Sequence, residues 1–244
     1  MKDIILITGA SSDLGIELIK KLDNENTVIL AHCNNSKKKL SEVSANLTKA
    51  ELKILSYDLS SETQISEMIA EIKSADQIPN KIAHFPAPKV ELIRFKDADW
   101  AKYQNNINIQ LMSIVLILKE FLPVMAKTQR GKIVFVLTSY TLNIPPKALS
   151  HYITAKYALM GLMKSLAAEY AEKKLNINAV SPSMIQTSFL QNIPEKIVEI
   201  NSDTNPFRRN ALVSDIIPTI IFLLSENADY ITGANIPISG GSAF

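Results

Sequence analysis

Short apolar runs alternate with longer amphipathic ones along the whole of this chain, and that alternation restricts its possible folds more than any other feature. Runs near 4–8, 27–32, 52–57, 81–85, 132–138, 175–180 and 235–238 read as strands. Segments near 13–23, 37–47, 62–73, 99–126, 150–173 and 214–225 read as helices. Strand and helix in strict alternation predict an α/β fold: a doubly wound parallel sheet of about seven strands with helices on both faces. No repeat, low-complexity tract or linker interrupts the pattern, so residues 1–244 are expected to form a single domain.

Composition removes several function classes. Hydrophobic residues make up 47% and charged residues 20%, with a net charge of +2, which offers no electrostatic case for nucleic acid or an anionic membrane. One cysteine, Cys33, rules out an internal disulfide or a multi-cysteine metal site, and His32, His84 and His151 are spaced too widely for a metal-ligand pattern. The N-terminal run Ile4–Ile7 is too short for a signal-peptide core, and no uninterrupted apolar stretch approaches the ~18 residues that span a bilayer. A reducing cytoplasm is the expected compartment.

The first strand runs into residues 8–15, T-G-A-S-S-D-L-G, and then into a helix marked by Leu14, Leu18 and Leu22. A glycine-containing turn between strand and helix presents free N–H groups and a positive helix end, which suits a phosphate; a plain connecting turn has the same spelling. Ser11 and Ser12 add hydroxyls that can donate to an anion or cap the helix. After the second strand, residues 31–39 read A-H-C-N-N-S-K-K-K. NAD-binding folds commonly place an acid there for the adenosine ribose. This segment has none before Glu42 and offers His32, Asn34, Ser36 and three lysines, so a 2′-phosphate is welcome and NADP(H) is favoured over NAD(H). Two or more of those lysines also read as the solvated first turn of a helix. Asp58, followed by Leu59 at the tip of the third strand, either accepts from an adenine amino group or caps the next helix.

Residues 138–156 hold Ser139 just past the apolar run 133–137, then Tyr152, with Lys156 one helical turn further on. A tyrosine beside an ammonium can exchange a proton near neutral pH; the same spacing also occurs on ordinary solvated helix faces. Asn108 lies inside the apolar segment 99–126, where a buried amide needs partners. The segments 99–126 and 150–173 are apolar on nearly every face, which suggests a homodimer or homotetramer interface or simple over-burial. Residues 182–210 form a long, proline-punctuated connection that reads as a lid. Met184, Ile185, Phe189 and Leu190 within it suggest an apolar substrate wall, or the lid's own packing.

Together these pieces resemble the single-domain branch of the short-chain dehydrogenase/reductase family over essentially the full chain, which implies a Rossmann-like fold. The family pattern T-G-x-x-x-G-x-G looks like Thr8-Gly9 through Gly15, with Asp58 similar to its adenine-contacting aspartate. The resemblance implies a catalytic tetrad of Asn108, Ser139, Tyr152 and Lys156, with Tyr152 as general acid/base. It implies cofactor contacts at Gly9, Ser11, Ser12, Asp13, Leu14, Gly15, His32, Asn34, Asp58, Leu59, Ala87, Tyr152, Lys156, Pro182, Ile185 and Thr187. The sequence departs from the family at Asp13, where the middle glycine of the turn would stand, at residues 81–88, and at Ser183 and Ser239. The overall pattern most resembles 3-oxoacyl-[acyl-carrier-protein] reductases, although Ala168 stands where a carrier-binding arginine is expected. The implied substrate is a small or acyl-carrier-linked carbonyl compound. A sugar or polyol dehydrogenase, or a catalytically silent binding protein, are the alternatives.

Overall fold

The computed structural model describes residues 2–244. Seven strands form one parallel sheet: β1 (Asp3–Thr8), β2 (Thr27–Cys33), β3 (Glu51–Ser56), β4 (Lys81–His84), β5 (Lys132–Val136), β6 (Asn176–Pro182) and β7 (Asn235–Ile238). Their spatial order is β3-β2-β1-β4-β5-β6-β7, so the chain reverses direction across the sheet between β1 and β4. In register, Ile5 lies beside both Ile29 and Lys81, and Ile133 lies beside Ile82 and Ile177. Strands β2, β5 and β6 are buried at every residue, as a sheet covered on both faces requires. β7 closes one edge and carries Pro237, a residue that edge strands tolerate.

Eight α-helices cover the sheet: α1 (Asp13–Lys21), α2 (Lys37–Ser44), α3 (Glu62–Ser74), α4 (Trp100–Ile107), α5 (Ser113–Thr128), α6 (Ser150–Glu169), α7 (Glu195–Thr204) and α8 (Val213–Leu224). One face packs α3, α5 and α6 over Leu6, Leu30, Ile82, Ile133 and Phe135. The other packs α1 and α8 over Ile5, Ile7, Ile29, Val134 and Val180.

Two elements differ from the sequence reading. The segment expected as one helix over 99–126 is broken by a π-helical turn, Asn108–Met112, between α4 and α5. The stretch 100–128 as a whole is long and apolar enough by composition to cross a membrane. Its apolarity is accounted for largely by the sheet, because Ile114, Ile117, Leu118, Phe121 and Met125 lie in the core. Trp100, Val115 and Val124 on this stretch and Tyr157 on α6 remain exposed. The long connection after β6 is not a bare loop. It contains a 3₁₀ turn, Ser188–Leu190, and α7, whose isoleucines Ile197 and Ile200 escape the usual periodicity because they face the cavity mouth and solvent, not a core.

Candidate active site

The crevice opposite the C-terminal strand ends, at the point where strand order reverses, is where open α/β sheets bind ligands. Here it is a cavity of about 1100 Å³ running from the turn after β1 to α6 and α7.

The turn is built by its own side chains. Gly9 has φ of +72°, and a Cβ on it would stand 3.1 Å from the Pro86 nitrogen after β4. Ser12 caps α1: its hydroxyl donates to Gly9 O at 2.7 Å and accepts from Gly15 N–H at 3.1 Å. Gly15 does not line the cavity; it lets the helix close onto the turn, since a Cβ there would lie 2.5 Å from Ala10 O. The N–H groups of Ser11, Asp13 and Leu14 have no acceptor among the described residues. Orphan donors at a positive helix end fit a dinucleotide pyrophosphate.

Asp13 borders the cradle, and its carboxylate is engaged by residues outside the turn. One oxygen accepts the N–H and the hydroxyl of Ser188, both at 2.8 Å, and the other lies 3.4 Å from Lys39 Nζ. Burial alone would raise its pKa, but the Ser188 donors and Lys39 outweigh it and hold the carboxyl below its ordinary value.

His32 plays a different part from the one its position suggested. Gly9 N–H donates to Nδ1 at 3.2 Å, so the ring proton sits on Nε2 and is given to Tyr57 O at 2.9 Å. Burial lowers its pKa to about 4. Both nitrogens are spent holding the phosphate turn to β3, which leaves no donor for a 2′-phosphate. Asn34, Asn35, Ser36 and Lys39 line this end instead. Asp58 borders the cavity with Leu59, while its Oδ1 is occupied by the N–H and hydroxyl of Ser60. Ala87, Pro182, Ile185 and Thr187 also line the cavity, whose other end reaches α6.

At that end stand Tyr152 and Lys156, both on α6 and 9% and 3% exposed. Lys156 Nζ donates to Val136 O at 2.7 Å and lies 5.6 Å from the centroid of the Tyr152 ring. Burial drives the pair in opposite directions. It pushes the phenol well above its usual range, an effect the Thr138 hydroxyl partly offsets, and it lowers the lysine to about 7. The expected depression of the phenol by a neighbouring ammonium does not prevail, because desolvation outweighs it.

Neither Ser139 nor Asn108 lines the cavity beside this pair. Ser139 is buried and does not line the cavity, whose wall at this level is Thr138 and Tyr140. A 3₁₀ turn over Ser139–Thr141 follows β5 immediately and rotates consecutive side chains apart, so the residue with the expected spacing is not the one presented. Asn108 is half-buried, accepting from Gln104 Nε2 at 2.8 Å, and the next residue, Ile109, lines the cavity.

Sequence reasoning missed an internal polar string behind the site. His84 Nε2 donates to Gln110 O at 2.9 Å, so Nδ1 accepts from the Thr8 hydroxyl at 2.8 Å. Burial lowers the His84 pKa to about 3, which keeps that tautomer neutral. Gln110 is fully buried within the π-helical turn; its amide nitrogen donates to Asn106 Oδ1 at 2.8 Å, and its Oε1 has no donor among the described residues. Its signal was a polar residue at a core-facing helix position.

A family model described as enoyl-(acyl carrier protein) reductase matches residues 9–243. A 3-oxoacyl-[acyl-carrier-protein] reductase of Buchnera aphidicola is 28% identical over 98% of this chain and 97% of its own. An acetoacetyl-CoA reductase of Allochromatium vinosum is 26% identical over 99% and 98% of the two chains. Among solved structures, levodione reductase superposes with a TM-score of 0.89 at 24% identity, covering 98% of this chain and 96% of that one.

Proposed function

Because this chain belongs to the short-chain dehydrogenase/reductase family, whose members are NAD(P)-dependent oxidoreductases, we propose that it interconverts a carbonyl and a secondary alcohol using NADP(H). The observation that carries this reading is a single cavity holding a donor-rich phosphate cradle at one end and the buried Tyr152–Lys156 pair at the other.

When bound, the dinucleotide supplies or accepts the hydride. The protein handles the proton. Tyr152, kept neutral by burial, donates its phenolic proton to the substrate oxygen as the carbonyl is reduced, and takes it back in oxidation. Lys156 is the neighbour able to change charge near pH 7; once protonated it favours the phenolate that donation leaves behind. The Thr138 hydroxyl, which lines the cavity and favours the phenolate, is the group that polarises the substrate oxygen, in place of Ser139 of the implied tetrad. The cradle N–H groups and Ser11 hold the pyrophosphate, and Asp58, Leu59, Ala87, Pro182, Ile185 and Thr187 border the rest of the cofactor path.

The preference for NADP(H) rests on the absence of any carboxylate from the cavity wall after β2, where Asn34, Ser36 and Lys39 stand. A 3-oxoacyl thioester is the proposed substrate class. The relatives named above support it, as does an apolar wall of Val90, Leu149, Phe189 and Ile193 around Tyr152. Exposed Trp100, Val115, Val124 and Tyr157 support a homodimer or homotetramer.

Titrating the protein with NADPH and NADH, then following NADPH consumption with acetoacetyl-CoA, simple ketones and sugars, tests the reading. Tighter binding of NADPH and turnover of the thioester are expected. Absence of NADPH binding at millimolar cofactor would overturn it, and binding without any turnover would favour a silent binding protein.

A further inference from the structure

The Asp13 carboxylate reaches out of the phosphate turn and grips a segment 175 positions further along the chain. Two donors of Ser188, its N–H and its hydroxyl, converge on one oxygen at 2.8 Å each, and Lys39 of α2 balances the other at 3.4 Å. As the first residue of α1, Asp13 also has its charge favoured by the helix end. Ser188 opens the 3₁₀ turn Ser188–Leu190. The next residue, Phe189, packs on the catalytic tyrosine: the ring centroids are 6.5 Å apart and the planes tilted by 51°. Upstream, the segment is pinned to the chain before α8 by Gln186 N–H to Ala211 O and Ala211 N–H to Met184 O, both at 2.9 Å. Between that anchor and α7, the Asp13–Ser188 contact is the short polar tie to the sheet's cofactor side; the other, Lys89 Nζ to Gln191 Oε1, is 3.4 Å and exposed.

We propose that Asp13 is a positioning residue that latches the lid across the cofactor turn and thereby sets Phe189 over Tyr152. The same carboxylate stands beside the cradle intended for a pyrophosphate, so it opposes cofactor binding while ordering the substrate wall. The two roles make opposite demands. Removing the carboxylate strengthens the hold on the dinucleotide and loosens the hold on the carbonyl substrate.

The inference deepens the reductase reading and rests on it for its kinetic part, whereas the latch itself is read without turnover. Amide hydrogen exchange of the peptide spanning Ser188 would be compared in the full-length protein and in Asp13→Ala and Ser188→Ala. Asp13→Ala is expected to speed exchange there by about five- to tenfold, and Ser188→Ala, which keeps the backbone donor, by less. With NADPH and acetoacetyl-CoA as probes, Asp13→Ala is expected to lower the NADPH Kd and raise the KM for the thioester, with kcat changing less than KM. A residue that served only to stabilise the turn would weaken both. Exchange at Ser188 unchanged in Asp13→Ala, or NADPH binding and thioester KM moving in the same direction, overturns the latch. If the wild-type protein neither binds NADPH nor turns over while Asp13→Ala still speeds exchange, the reductase reading falls and the latch stands. Ser188→Ala lies outside the turn and gives the same readout should Asp13→Ala fail to fold.

Discussion

Consecutive residues Thr138 and Ser139 make opposite claims on one role, and substituting each separately decides between them. Ser139 has the spacing from Tyr152 that the family resemblance implies, but it does not line the cavity. Thr138 does, and its hydroxyl partly offsets the rise that burial imposes on the phenol's pKa. Within the fold that hydroxyl has little to do. It accepts only a long 3.4 Å bond from Tyr140 N–H, while the turn is held through the Thr138 carbonyl, which accepts the Thr141 hydroxyl at 2.8 Å and the Thr141 N–H at 3.0 Å. Thr138→Val keeps the volume and removes the donor, so it should unfold at nearly the same urea concentration as wild type. Loss of one donor aimed at the developing charge costs about 10²–10³ in kcat, or ~2.7–4 kcal/mol. Ser139→Ala should leave kcat within a few-fold. The assay is steady-state reduction of acetoacetyl-CoA under saturating NADPH, paired with urea unfolding of each variant. A collapse of kcat in Ser139→Ala, with Thr138→Val near wild type, would refute the assignment and show that the 3₁₀ turn rearranges when ligands bind.

Tyr152→Phe should keep cofactor affinity within a few-fold and lose about 10²–10⁴ in kcat; retained turnover would remove the tyrosine from its role. Lys156 has its folded pKa lowered from 10.5 to about 7, so the unfolded chain binds the extra proton throughout that window and wild-type stability should climb as pH rises from 7 to 10.5. Lys156→Met should be more stable than wild type by several kcal/mol at pH 7 and below, with the gap closing toward pH 10.5; urea midpoints that keep a constant gap would count against a buried neutral lysine. Gly15→Ala places a Cβ 2.5 Å from Ala10 O, a backbone atom, and should destabilise by about 1–3 kcal/mol of overpacking despite alanine's better helix propensity; an unchanged denaturation midpoint would contradict the tight turn. Light scattering should report a dimer or tetramer, and a monomer at micromolar concentration would leave Trp100, Val115, Val124 and Tyr157 as unpaired surface.

Periodicity alone carried the fold. Strands buried on both faces must be apolar throughout, and helices laid on a sheet must be apolar along one side, so each element printed its own burial into its spacing. All seven strands and most helices were legible, β2, β5 and β6 because both their faces are covered, and so was the phosphate turn, where Gly9, Ser12 and Gly15 are required by local geometry. α7 was illegible because Ile197 and Ile200 look out onto a cavity mouth and solvent, leaving no core-facing rhythm.

The residue types at the site were also readable, since Tyr152 and Lys156 share one helix whose spacing settles their proximity. What the sequence by itself determined, then, was everything set by contacts within an element or one turn of it. Tertiary structure alone decided the rest: that Thr138 and not Ser139 lines the cavity, that His32 is consumed by Gly9 and Tyr57, and that burial raises the tyrosine's pKa and lowers the lysine's. It also decided that Asp13, which stands where the family turn has its middle glycine, is bonded to Ser188. Each of these depends on which way a side chain points after strands and helices far apart in sequence have packed, and on how much water that packing removes. Neither quantity has a period along the chain.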